Sequence, residues 1–257
     1  MKKNVFVYGI FTALFIIALA FTACPQPADD SSGGSSGNSS DNSSGNSSNN
    51  PSSGNTSANP PVTITGIANL GTYLSAQPGN TAAAAYTVKL NVDDLGGDVR
   101  TAGSVGYIMS SYNPPLPPPP TLPARTSTKY VNLDLSGSTI TCIDGEAFQS
   151  CYGLTGVIIP NTVTEIKGSA FNRCYSLSSV IIPGSVAILG DWAFGNNENL
   201  SSVTFQGTIP AADFGTTGVF LGDLRDKFYA ANAANGTPGT YTTTTPVSAS
   251  SVWAKQP

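Results

Sequence analysis

Four cysteines and a complete absence of histidine decide most of the chemistry open to this chain. A catalytic thiol needs an activating base, and the usual one is missing. The commonest metal ligand is missing with it, which excludes most hydrolase triads and most zinc sites. Cys151 and Cys174 occupy one position of an internal repeat. Stacked strands would hold them about 5 Å apart. That spacing admits a disulfide or two buried thiols acting as small hydrophobes. Cys142 falls where Glu165 and Ile188 stand in later copies, so no cysteine cluster for a metal forms. Two carboxylate pairs, Asp93 with Asp94 and Asp223 with Asp226, have the residue type of glycoside chemistry. The first pair ends a predicted strand. The second interleaves with Arg225 and Lys227, as a solvated helix face does. The residues therefore predict no enzyme, no catalytic residue, no cofactor and no metal. With 10% charged residues and a net charge of −4, the chain also lacks the basic footprint that a nucleic-acid backbone requires.

The elements that position these residues are written as a repeat. "AFQSCYGLTGVIIPNTVTEI" is followed by "AFNRCYSLSSVIIPGSVAIL". Ile143, Ile166 and Leu189 share one offset, as do Phe148, Phe171 and Phe194, then Leu154, Leu177 and Leu200, then Val157, Val180 and Val203. Self-similarity at such a period predicts a leucine-rich solenoid, in which each unit stacks on the next because it cannot bury its apolar face alone. The fold class expected is α+β: a short solenoid with parallel strands, an N-terminal and a C-terminal cap, and a disordered linker before them. Val157 and Ile159 point inward between Gly156 and Ile158, so each unit supplies a short strand. Pro160 and Pro183 end it. The Ala-Phe pair and the following Cys-Tyr form the opposite wall as a short helical turn, with Gly145 and Gly168 allowing the corner. The period is lost after Ala211, where Phe220, Leu221, Leu224 and Phe228 predict one face of a capping helix and "TYTTTTP" a strand.

Upstream, "ANLGTYLSA" and "AGSVGYIMSSY" predict short helices, and "YTVKLNV" and "KYVNLDLSG" predict parallel strands, with Val88, Leu90 and Val92 matching Val131, Leu133 and Leu135. The prolines from Pro114 to Pro123 predict an extended surface loop. Residues 24–61 are dominated by Ser, Gly, Asn, Asp and Pro and predict a disordered tether. At the N-terminus, Lys2 and Lys3 precede an apolar run and small residues before Cys24, the pattern of an export signal. The run resembles a bacterial lipoprotein signal peptide, with Phe21 where the usual box has Leu; the resemblance implies a lipid on Cys24. An uncleaved membrane anchor is the alternative. The expected division is 1–23 signal peptide, 24–61 lipidated cysteine and tether, 62–132 N-terminal cap with proline-rich loop, 133–211 repeats and 212–257 C-terminal cap.

The segments "LSSVIIPGSVAILGDWAF" and "LTGVIIPNTVTEIKGSAFNRC" resemble the BspA-like, Treponema-type leucine-rich repeat. The resemblance implies a column of unpaired thiols at Cys151 and Cys174. It also implies an exported, lipid-anchored surface protein, an adhesin whose partner is a protein of host matrix or of other bacterial surfaces. A passive envelope component is the alternative. If the strands line a concave sheet, the predicted contact rows are Lys89, Asn132, Gly156, Ser179 and Ser202, and beside them Asn91, Asp134, Ile158, Ile181 and Thr204.

Overall fold

The computed structural model describes residues 60–111 and 129–257. The export signal, Cys24, the tether up to residue 59 and the proline run lie outside the described residues. No helix among the described residues is long and apolar enough to cross a membrane.

The chain runs β1 (Val62–Thr65), α1 (Ile67–Ala76), a 3-10 turn (Ala82–Ala84), β2 (Tyr86–Asn91), α2 (Val105–Ser111), β3 (Val131–Asp134), β4 (Cys142–Ile143), β5 (Leu154–Ile158), β6 (Glu165–Ile166), β7 (Ser179–Ile182), β8 (Ile188–Leu189), β9 (Ser202–Phe205), α3 (Leu224–Tyr229), β10 (Gly239–Thr242) and β11 (Ala254–Lys255). One eight-stranded sheet takes the order β1-β2-β3-β5-β7-β9-β10-β11, and a small sheet takes β4-β6-β8. Pairing is parallel from β1 to β9 and antiparallel from β9 through β11. Gly156 pairs with Ser179 and Ser179 with Ser202, a step of twenty-three residues per coil. Between β3 and β5 the step slips by one residue after Val131. Thr155 is the extra residue, and its buried hydroxyl donates to the Val131 carbonyl at 3.1 Å.

The interior is an aromatic file. Phe148 stacks on Phe171, and Phe171 on Phe194, each at 5.0 Å between ring centroids and within 8° of parallel. All three are fully buried. The expected alignment of these residues is therefore observed. Phe220 extends the file, 5.2 Å from Phe194.

The opposite wall is built from hydrogen-bonded turns rather than a helix. Alternate amides of the turn donate to the next coil: Glu146 to Gly168, Phe148 to Ala170 and Ser150 to Asn172, then Ser169 to Asp191, Phe171 to Ala193 and Arg173 to Gly195. The amides between them close turns within their own coil, Ala147 to Asp144 and Gln149 to Glu146. This alternation needs left-handed backbone at Glu146, Ser169 and Trp192 and again at Ser150, Arg173 and Asn196. The corner is thus not made by Gly145 and Gly168, as the sequence suggested. Those glycines serve close stacking: a Cβ on Gly145 would lie 3.3 Å from the Gly168 carbonyl, and one on Gly168 would lie 3.2 Å from that of Asp191.

Two further expectations are corrected. Tyr86 pairs with Val131 and Val88 with Leu133, so β2 sits two residues away from the register expected of Val88 with Val131. A shift of two preserves the alternation, so hydrophobic pattern alone cannot detect it. Polar contacts decide instead. Asn80 accepts the Tyr130 amide and donates to the Tyr130 carbonyl, the Tyr86 amide donates to that same carbonyl, and Ser138 bridges the Leu90 carbonyl and the Val92 amide. At the C-terminal end, Phe220 and Leu221 precede α3 instead of lying on it. The wall continues past Ala211: Leu189 bridges to Phe214, Trp192 donates to Thr217 and Phe194 to Val219. The ladder step from Ala193 to Val219 is three residues longer than that from Ala170 to Ala193, which hides this partial coil from a search at fixed period.

Candidate binding surface

The outward positions of the large sheet form two rows. One runs Thr87, Asn132, Gly156, Ser179, Ser202 and Thr242; the other runs Thr63, Lys89, Asp134, Ile158, Ile181, Thr204 and Thr240. From Asn132 and Asp134 through Thr204 the rows are those expected. Lys89 and Asn91 are each displaced by the register of β2: Lys89 neighbours Asp134 rather than Asn132, and Asn91 neighbours Thr65.

The row chemistry follows from the spacing of parallel strands. Neighbouring backbones lie ~4.8 Å apart, so side chains of one row touch across the coils. The Asn132 amide lies across Gly156, where a Cβ would come 2.5 Å from its oxygen. Thr204 and Thr240 share a hydroxyl hydrogen bond of 2.8 Å. Ile158 is 43% exposed, and Ile181 beside it is half-buried. Asn91 shares the outward parity of Lys89, but its side-chain oxygen is buried against Gly137 beside the Lys89 stem. Asn91 also lines an open groove of about 400 Å³ with Thr65, Gly66, Asp93 and Asp94.

Residues that pattern reasoning passed over extend the surface. Thr63, Thr87, Thr240 and Thr242 lie on strands outside the repeat, and only pairing places them. Tyr152 and Tyr175, which the sequence assigned to the opposite wall with their cysteines, are half-buried and stack at 5.1 Å, one coil apart, just before β5 and β7. Their shared repeat offset was the available signal.

The thiols do not belong to a reactive site. Cys151 and Cys174 are free and fully buried. Burial pushes the Cys174 thiol up to about 12 and the Cys151 thiol well up from its ordinary value, with the neighbouring Cys174 adding to the second shift. Each donates to a backbone carbonyl of the preceding layer, Cys174 to Phe148 at 3.1 Å and Cys151 to Gly106 at 3.6 Å. Asn197 fills the same slot in the third coil and donates to Phe171 at 3.0 Å. Cys142 lies on β4, outside that column. Among the carboxylates, Asp94 accepts the Gly96 amide at 2.7 Å, and Asp223 accepts the Trp253 amide at 2.7 Å and pairs with Lys227 at 3.5 Å. Both are committed to local structure.

Residues 125–214 match the family model described as BspA type leucine rich repeat region (6 copies). That stretch of the chain is a BspA-type leucine-rich repeat region. No curated protein matches it significantly, and no solved structure does. Proteins with BspA-type repeats are often surface-exposed, and the family is typically one of non-enzymatic binding modules. The parallel sheet, the stacked phenylalanines and the buried Cys151, Cys174 and Asn197 column are the physical content of that BspA-type repeat in this chain.

Proposed function

We propose that this protein is a non-enzymatic binding module of the bacterial surface, an adhesin whose outward sheet rows contact a protein of host matrix or of other bacterial cells. In this reading residues 1–23 direct export, Cys24 carries the lipid that attaches the chain to a membrane, and residues 24–61 form the tether. Residues 62–132 and 212–257 then cap the repeats of 133–211. The observation that supports it best is the exposed Ile158 beside half-buried Ile181, set among Asn132, Asp134, Ser179, Ser202 and Thr204. An apolar centre with a small polar surround matches the anatomy of protein interfaces. Lys89 next to Asp134 keeps that end of the face near neutrality, which suits a protein more than a charged polysaccharide.

The test is binding of the full chain to immobilised matrix proteins and to whole bacterial cells, with the double variant Ile158→Lys/Ile181→Lys as comparison. Both positions point outward, so the variant should melt within a few degrees of the parent. Binding is expected to fall at least ~10-fold, about 1.4 kcal/mol. Binding to no matrix protein and no cell would favour a passive envelope component instead. Undiminished binding by the double variant would move the contact surface elsewhere.

A further inference from the structure

The third coil departs from the repeat at one place with nothing to do with the sheet. Where the first two coils have Gly145-Glu146 and Gly168-Ser169, the third has Asp191-Trp192. Trp192 keeps the left-handed backbone that the wall imposes at this offset, with φ at 59°. Its indole is 39% exposed, whereas the other tryptophan, Trp253, is buried. Two glycines make its seat. A Cβ on Gly195 would lie 2.7 Å from the ring, and one on Gly218 would lie 2.5 Å from it. The chain has thus made room for a large aromatic surface at a point where the earlier coils carry Glu146 and Ser169.

Gly218 also walls a cleft of about 220 Å³, shared with Thr216, Phe220, Asp223, Arg225 and Asp226. Drug-sized pockets span ~300–1,000 Å³, so this one has room for a single small ring. Its polar groups are unevenly committed. Asp223 is occupied by the Trp253 amide and Lys227. Arg225 lies over Phe214 and Tyr229 at 5.7 and 5.2 Å, makes one long hydrogen bond of 3.4 Å to the Ala211 carbonyl, and buries an Nε with no hydrogen-bond partner among the described residues. Asp226 is exposed. The Asp226 carboxylate and the part of the Arg225 guanidinium that faces the cleft remain to meet a ligand, balanced in charge.

We infer that Trp192 and the cleft walled by Gly218, Arg225 and Asp226 form a saccharide site that takes one ring of a neutral glycan. A sugar presents what these groups complement together: an apolar C–H face for an indole, hydroxyl donors for a carboxylate, and hydroxyl acceptors for a guanidinium. The charge balance disfavours uronic acids and sulfated sugars. The site stands on the opposite wall from the sheet rows and is independent of them.

The test is calorimetric titration of the full chain with neutral tetrasaccharides of glucose, N-acetylglucosamine, mannose and galactose. Trp192→Ala and Asp226→Asn serve as variants. At least one sugar should bind saturably with Kd on the order of 1 mM or tighter, and each variant should weaken it about tenfold. Emission of the exposed indole should shift with the same midpoint, since Trp253 is shielded. If Trp192→Ala fails to fold, Asp226→Asn, an exposed substitution, decides alone. Absence of saturable binding by all four sugars overturns the site, as does full affinity in the folded variants.

Discussion

At the scale of the residue, one slot shows how the chain makes small side chains do the work of backbone. A carbonyl carries two lone pairs, and a buried one left without any donor costs about 1–3 kcal/mol. Cys174 gives the Phe148 carbonyl a second donor beside the Cys151 amide, and Asn197 donates to the Phe171 carbonyl, so a thiol and an amide are interchangeable there as donors. Asn197 pays for its stronger donor, because its own carbonyl oxygen is buried without a partner among the described residues. The thiols must stay protonated to donate, and this gives a pH signature. The Cys174 pKa is raised from 9.0 to about 12, so the folded state holds a proton that the unfolded chain releases. The resulting stabilisation is complete below about pH 9 and is lost as pH climbs towards about 12. Inside that window one retained proton lowers stability by about 1.4 kcal/mol per pH unit. Denaturant unfolding across that range should therefore show a steeper decline for the parent than for Cys174→Ala. Parallel declines would mean that the thiol is not held neutral by the fold.

At the scale of the element, the stacked rings join successive coils through the middle of the core. Phe171 touches Phe148 on one side and Phe194 on the other, so its removal opens a void between two coils at once. Phe171→Ala should cost about 3–5 kcal/mol, the usual range for a buried phenylalanine. A thermal melt reads it directly, and a loss below ~1 kcal/mol would show that neighbouring coils close the gap. The repeat is also where the sequence was most legible. Phe, Cys, Leu and Val recur at fixed offsets because identical layers bury identical positions, so the inward set from Phe148 to Val203 could be read without coordinates. What lay outside was governed by other physics. The two-residue position of β2 depends on Asn80, Ser138 and Tyr86 reaching across forty to fifty residues to backbone atoms. Such contacts leave no periodic trace. β1 is four residues long, and β4, β6 and β8 are only two each, too brief for alternation to register. Phe220 was visible as a buried aromatic, yet the three-residue lengthening before it concealed that it completes the phenylalanine file. On the candidate surface, Ile158 through Thr204 were legible for the same reason as the core, whereas Lys89 and Asn91 inherited the error in β2.

At the scale of the whole molecule, layers that contact only their neighbours make stability close to a sum of coil and interface terms. The ends must then be closed. Here β10 turns antiparallel against β9, and Phe228, Tyr241 and Phe214 gather around Phe205, while α1 and α2 cover the other end through Leu70, Leu74, Val105 and Met109. The same additivity gives a test of the architecture that no single substitution provides. Excising residues 157–179 joins Gly156 to Val180, which removes one full coil and leaves every remaining residue at its own offset. Phe148 would then stack on Phe194, and Asn197 would donate to the Phe148 carbonyl in place of Cys174. Both ends would meet unchanged partners. The shortened chain should fold cooperatively, with lower stability because one aromatic contact and one strand pair are gone. Excising residues 157–178 instead removes one residue fewer, which turns the inward side chains of the fused strand outward. That chain should fail to fold. Circular dichroism and melting of the two deletions separate the cases: equal behaviour would mean that the coils are not equivalent layers, and a folded first deletion beside an unfolded second would show that the repeat spacing itself specifies the structure.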